Sequence, residues 1–223
     1  VNNMIKRIFT LAISIAISVT CVYANSVENI SADEALQKLK DGNKHFVTMH
    51  MKHPDTSKKR RAEMLKGQHP FVVILSCSDS RVPPELIFDQ GLGDIFEIRN
   101  AGNVLDEHVI GSIEYAVMHL GVKLVVIMGH QDCGAIAATL SGNTESEYIE
   151  SLKNSIKPAI KMCKKKGKFT PDDVSKAHVI QDIEELLEQD SALNEYMQKH
   201  GVKIIPAFYH MNTGEVEFLK TSI

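Results

Sequence analysis

Only four cysteines occur among 223 residues, too few for a disulfide-stapled scaffold, and a chain of this length buries a core large enough to do without one. Each cysteine is therefore judged by its neighbours. Basic residues are not in excess either: 25 Lys and Arg face 28 Asp and Glu, a formal charge of −3 that leaves no surplus to neutralise a phosphate backbone. Nucleic acid is excluded as the expected partner. With 13 Gly, 7 Pro and 43% hydrophobic residues, the disordered, collagen-like and low-complexity classes fall away. No internal repeat or linker is visible, and the length suits one domain.

Long apolar runs are also missing. The longest, Ile8 to Val22, follows the basic stretch Met4-Ile5-Lys6-Arg7 and sits near the upper end of a secretory h-region, roughly 7–15 residues. It falls short of the roughly 20 residues that span a bilayer comfortably. Val22-Tyr23-Ala24 supplies a small residue for cleavage, while Thr20 is a poor neighbour for a lipidated Cys21. The expectation is a signal peptide over 1–24, cleaved near Ala24, and a domain over 25–223. The mature protein is then periplasmic or secreted, with no stable membrane anchor; an uncleaved anchor is the alternative.

Ser31-Ala32-Asp33-Glu34 has capping-box spacing and opens an amphipathic helix that Gly42 is expected to interrupt. His50 to Lys66 is basic and polar, a solvated arm or surface helix. Phe71-Val72-Val73-Ile74-Leu75 and Leu124-Val125-Val126-Ile127-Met128 are continuous apolar runs, as in strands buried on both faces of a parallel sheet, and Ile95–Arg99 is a third strand. Helices are expected from Asp106 to Leu120, briefly after Gly134, from Tyr148 to Lys165, and from Thr170 up to His200. Val202–Tyr209 and Val216–Leu219, joined at Asn212-Thr213-Gly214, form a terminal hairpin. The fold class is α/β: a largely parallel central sheet flanked by helices, with an N-terminal helical arm and a C-terminal hairpin. Ligands in such folds collect outside the carboxyl ends of the strands.

Two of those strand ends carry chemistry. Cys77 and Asp79 follow the first buried strand, and His130 and Cys133 close another, so residues 53 positions apart in sequence can converge. Two thiolates and an imidazole suit zinc, which takes four tetrahedral ligands and keeps one position open in catalytic sites. Asp79 is the fourth candidate. As a ligand it closes the site; held away by Arg81, whose guanidinium binds a carboxylate through two parallel bonds, it leaves room for water, whose pKa the metal lowers to about 7. Spacing alone leaves other uses open: inert buried cysteines, a purely structural zinc in an anion-binding or scaffolding protein, or Cys77 as a redox or nucleophilic thiol.

Cys77-Ser78-Asp79-Ser80-Arg81-Val82 together with Gly129-His130-Gln131-Asp132-Cys133-Gly134 resembles the paired signature of β-class carbonic anhydrases. The likeness to the family's exported bacterial members continues through Gly93 to Asn103 and Ser112 to Val117, and reaches the closing hairpin. It implies Zn2+ on Cys77, His130 and Cys133, with Asp79 and Arg81 as gate and orienting pair. It implies reversible hydration of carbon dioxide to bicarbonate and a proton by metal-bound hydroxide. Gln68 falls where open-site members bind bicarbonate, and Phe96 and Tyr115 fall on a pocket wall completed across a dimer interface. His119 matches a suggested proton relay, and Gly134 a backbone N–H near the anion. The protein is then a homodimer or homotetramer acting on CO2 and bicarbonate.

Two departures qualify that likeness. The chain has no Trp, so a second, inhibitory bicarbonate site that uses one is not expected. Cys163 lies on a Lys-rich helix with no metal partner nearby in sequence and reads as a bystander. Two thiolates offset the metal charge more than three histidines would, which implies a modest alkaline preference. The same chemistry could serve carbonyl sulfide or carbon disulfide.

Overall fold

The computed structural model describes residues 30–143 and 146–220. The leader expected at 1–24 lies outside them. Ser31 accepts from Glu34 N while the Glu34 carboxylate accepts from Ser31 N, the reciprocal cap that opens α1 (Ala32–Val47). Gly42 does not interrupt this helix. A Cβ there would lie 1.8 Å from the Phe88 carbonyl oxygen, so the glycine lets α1 press against the chain beneath it. The basic segment that follows holds α2 (Lys58–Met64), a surface helix with no buried residue.

Then come β1 (Val72–Cys77), α3 (Pro84–Ile87) and β2 (Ile95–Asn100), followed by a short 3-10 turn at Ala101–Asn103. Next are α4 (Glu107–Glu114), β3 (Leu124–His130), α5 (Gly134–Ser141), α6 (Glu147–Lys166) and α7 (Pro171–Gln189). The chain closes with α8 (Ser191–His200), β4 (Lys203–Tyr209) and β5 (Val216–Phe218). Two expected helices differ in detail. The one ahead of β3 ends its regular α-turns at Glu114 and continues as a wider π-turn, Tyr115–His119. The long one after Thr170 breaks at Asp190, whose carboxylate accepts from Leu193 N and caps α8.

The strands form one sheet in the order β2-β1-β3-β4-β5, parallel except for the antiparallel final pair. Every residue of β1 and β3 is buried, as their unbroken apolar runs require. Alternate residues serve opposite faces: Val73, Leu75, Val125 and Ile127 pack with α4, α7 and α8, while Val72, Ile74, Leu124 and Val126 pack with α1 and α3. A third apolar cluster, holding Cys77, Cys133, Ile136, Ile156 and Val174, covers the carboxyl ends of β1 and β3. Cys163 belongs to it: the helix that looks Lys-rich in sequence buries this thiol on its inner face, where it donates to the Asp173 carbonyl at 3.6 Å. No helix among the described residues is long and apolar enough to cross a membrane.

Candidate metal centre

Cys77 and His130 are the last residues of their strands, two residues beyond the ends of the apolar runs. Asp132 adopts φ 53°, a left-handed turn that swings the chain round so that Cys133 caps α5 beside them. The result is a buried group in which the Cys77 and Cys133 sulfurs and a His130 ring nitrogen all lie within 4.8 Å of one another. Asp79 is not part of it.

Each donor is held for the task. The Gln131 carbonyl lies 2.8 Å from His130 Nδ1, and a carbonyl can only accept, so Nδ1 carries the proton and Nε2 presents a lone pair. Nε2 is buried and has no hydrogen-bond partner, the situation of a nitrogen that awaits a cation. Cys77 Sγ accepts from Gly102 N at 3.3 Å and from Asp79 N at 3.4 Å. Gly102 reaches it with φ +76°, and a Cβ there would meet Ala135 at 2.9 Å. The two thiols are close enough to interact: a hydrogen bond from Cys133 lowers the Cys77 thiol, while the Cys77 sulfur and burial raise Cys133. A divalent cation relieves that conflict by accepting both as thiolates. Two thiolates and an imidazole are a zinc donor set, so the residues fit the metal the motifs imply.

Asp79 is turned to Arg81, which donates from Nε to Oδ1 at 2.9 Å, from Nη2 to Oδ2 at 2.7 Å and from its own backbone N at 3.0 Å. The guanidinium holds the carboxyl far below the usual carboxylate range. Arg81 Nη2 also reaches the Asp132 carbonyl at 3.3 Å, tying the two ligand loops together. Gly134 opens α5 next to Cys133, and the space where a side chain would project from it is empty to 4 Å. As the first residue of α5, Gly134 has a backbone N–H with no acceptor within its own helix.

The remaining candidates sit elsewhere in the chain. Phe96 pairs with Val73, four register steps from the Asn100–Cys77 pair, or about 13 Å at the usual strand rise. Its ring stands 6.1 Å from that of Tyr115, which in turn lies 5.4 Å from the His119 ring, tilted to it by 31°. His119 precedes β3 while His130 ends it, so the strand's length, about 20 Å, lies between their levels. Gln68 is exposed in the loop that leads into β1. Within one chain, Gln68, Phe96, Tyr115 and His119 are therefore not brought to the metal-ligand group, and a relay from His119 to its own chain's centre is not supported by this geometry.

Several contributors carry no signal in the two motifs. Arg99 donates to the Cys77 and Asp79 carbonyls at 3.0 and 2.7 Å and pins the loop between them. From α7, Asp172 accepts from Asp132 N at 3.3 Å and Ser175 donates to the His130 carbonyl at 3.2 Å. Polar residues spaced three apart on a helix were the legible sign.

Comparison with known proteins gives the chain its relatives. The family model described as carbonic anhydrase matches residues 72–216. The chain is 39% identical over 187 residues to a carbonic anhydrase of Mycolicibacterium smegmatis, spanning 82% of this chain and 91% of that one. It is 37% identical over 190 residues to carbonic anhydrase 2 of Mycobacterium tuberculosis, spanning 83% and 92%. Among solved structures, a tetrameric β-carbonic anhydrase from Sordaria macrospora superposes with a TM-score of 0.67 at 26% identity, covering 72% of this chain and 86% of its own. A β-carbonic anhydrase of Aspergillus fumigatus gives 0.66 at 29% identity, covering 84% and 89%. With the ligand residues, the sheet and these relatives in agreement, the chain belongs to the β-class carbonic anhydrase family.

Proposed function

We propose that this protein hydrates carbon dioxide reversibly at a zinc ion held by Cys77, His130 and Cys133. The observation that carries the reading is the convergence of these three ligand atoms beside an aspartate that Arg81 keeps turned away from them. Zinc bound there supplies a Lewis acid that makes hydroxide available near neutral pH. The chain's own residues then have distinct work. Asp79, fixed and ionised, accepts a hydrogen bond from the attacking oxygen and aims its lone pair. Arg81 holds Asp79 in that attitude and keeps it from the fourth metal position. The Gly134 N–H, which the family likeness places near the bound anion, would donate to bicarbonate.

Carbon dioxide is uncharged and must be placed by apolar walls. The residues the family likeness assigns to that wall, Phe96 and Tyr115, lie away from the chain's own centre, as does Gln68, which the likeness assigns to bicarbonate. Tyr115 is 46% exposed and β2 is the sheet edge among the described residues, so a second copy docked along that edge would bring these residues to its neighbour's site. We therefore propose a homodimer or a homotetramer as the working unit. His119, exposed beside Tyr115, would hand protons to solvent from the same partner surface. We also propose that the mature domain begins at residue 25 and is exported to the periplasm or beyond.

Metal analysis of the purified protein with stopped-flow CO2 hydration across pH tests the reading. About one zinc per chain and activity that rises with pH are expected. Metal-free protein with full activity would overturn it.

A further inference from the structure

Asp172 and Ser175 are not the only polar residues of α7 turned towards the ligand loops. His178 and Asp182 continue the same face at spacings of three and four, and each is only 1% exposed. His178 Nε2 lies 3.1 Å from the Gly102 carbonyl, and Asp182 Oδ2 accepts from Asn103 Nδ2 at 3.1 Å. Between them, His178 Nδ1 stands 3.4 Å from Asp182 Oδ1, and those two atoms have no other partner.

The proton count follows from the partners. A carbonyl only accepts, so Nε2 carries hydrogen and donates to Gly102. Nδ1 then offers a lone pair to a carboxyl that must hold the second proton, Asp182 O–H to His178 Nδ1, or else takes that proton and becomes an imidazolium against a carboxylate. Burial lowers the His178 imidazole to about 4 and raises Asp182, which favours the neutral arrangement. In either form the pair keeps both protons and the donor aimed at Gly102.

Gly102 is where this matters, because its N–H and its C=O belong to the two peptide units on either side of one α-carbon. Its carbonyl is anchored by His178, and its N–H donates to Cys77 Sγ. A peptide N–H on a metal thiolate draws charge from the sulfur and fixes the direction of its lone pairs. We propose that His178, backed by Asp182, is a positioning residue that locks the Ala101–Asn103 turn so that the Gly102 N–H stays on the Cys77 sulfur, and so sets how tightly the centre holds its metal. The proposal rests on the zinc reading above.

Side-chain amides separate this role from simple packing. In His178→Gln the amide nitrogen falls near the place of Nε2 and can still reach the Gly102 carbonyl; in His178→Asn it falls near Nδ1 and cannot. Zinc release to a chelator is followed in the holoprotein, together with the thiolate-to-metal charge-transfer band of the cobalt-substituted form. His178→Asn is expected to release zinc about 10–100-fold faster with a shifted band, as outer-shell losses do. His178→Gln stays near the parent. Ile183→Ala, which trims the core on the same helix, lowers the melting temperature without either change. Asp182→Leu takes the partner from His178 Nδ1 and from Asn103 Nδ2, so it is less stable than the parent and releases zinc faster than Ile183→Ala does at an equal loss of melting temperature; it decides the matter if His178→Asn does not fold. Parent-like release and band in His178→Asn, or in Asp182→Leu, would overturn the proposal, as would release that simply tracks stability through Ile183→Ala. A parent protein that purifies without zinc would instead overturn the zinc reading, and this proposal with it.

Discussion

Arg81 grips Asp79 through two parallel hydrogen bonds, Nε to Oδ1 at 2.9 Å and Nη2 to Oδ2 at 2.7 Å, across only one intervening residue. A fork of this kind fixes a carboxylate in both distance and plane, which a single ammonium cannot do. Position, and not merely charge, is what the pair contributes.

Asp79→Ala and Arg81→Ala should therefore each lower CO2 hydration by about 10–100-fold, the usual cost of losing an orienting partner beside a metal. Zinc content should stay at the parent level, because neither residue belongs to the ligand group. Stopped-flow rates alongside metal analysis check both halves. Undiminished activity in either variant would contradict the gate.

Removal of the metal should abolish activity, and added zinc should restore it. Cys77→Ser and His130→Ala should bind no stoichiometric zinc, since each leaves two ligands on a cation that needs three from the protein and one from elsewhere. Metal content after dialysis against a chelator is the measurement, and a Cys77→Ser protein that retains zinc would reassign the site.

Arg99→Lys should loosen the loop between Cys77 and Asp79. The guanidinium now spans two carbonyls at 3.0 and 2.7 Å, and a lysine ammonium is a point donor without that fork. Hydration should fall while the fold persists, as read by stopped-flow rates against the far-ultraviolet circular dichroism spectrum.

Glu97 predicts a pH dependence of stability. Desolvation, then the nearby Glu85 carboxylate of α3, raises its pKa from 4.5 to about 7. The native chain binds this proton more tightly than the unfolded chain, so the contribution is fully present below the ordinary glutamate value and is lost as pH rises through about 7. Urea unfolding across that window should show parent stability declining with pH, and Glu97→Gln should flatten the decline.

Gly42→Ala should destabilise the fold by about 1–3 kcal/mol, the usual cost of forcing a methyl group into filled space. The added carbon would need the Phe88 carbonyl to retreat from a 1.8 Å approach. Urea denaturation measures it, and an unchanged midpoint would show that α1 can shift at no cost.

Much of the fold could be read before any coordinates. The apolar runs at Phe71–Leu75 and Leu124–Met128 became the two fully buried strands, and the hairpin and most helices fell where capping and glycine signals put them. Gly42 looked like a helix break because local propensity counts against glycine, whereas contact with Phe88 decides its use. Cys163 read as a bystander on a Lys-rich helix, and the packing of α6 on α7 is what turns that one position inward, into the core.

The candidate centre divides along the same line. Residue types and their places at strand ends determined by themselves which chemistry was available: two sulfurs, one imidazole, and a carboxylate two residues from its arginine. Only the tertiary structure decided that the sulfurs and the imidazole meet within 4.8 Å, that Asp79 faces Arg81 instead of joining them, and that α7 reaches both ligand loops. It also decided that Gln68, Phe96, Tyr115 and His119 stand apart from the centre of their own chain. The physical reason is that periodicity and spacing report the backbone within one element, whereas the meeting of side chains depends on sheet register and on how closely a helix packs against it.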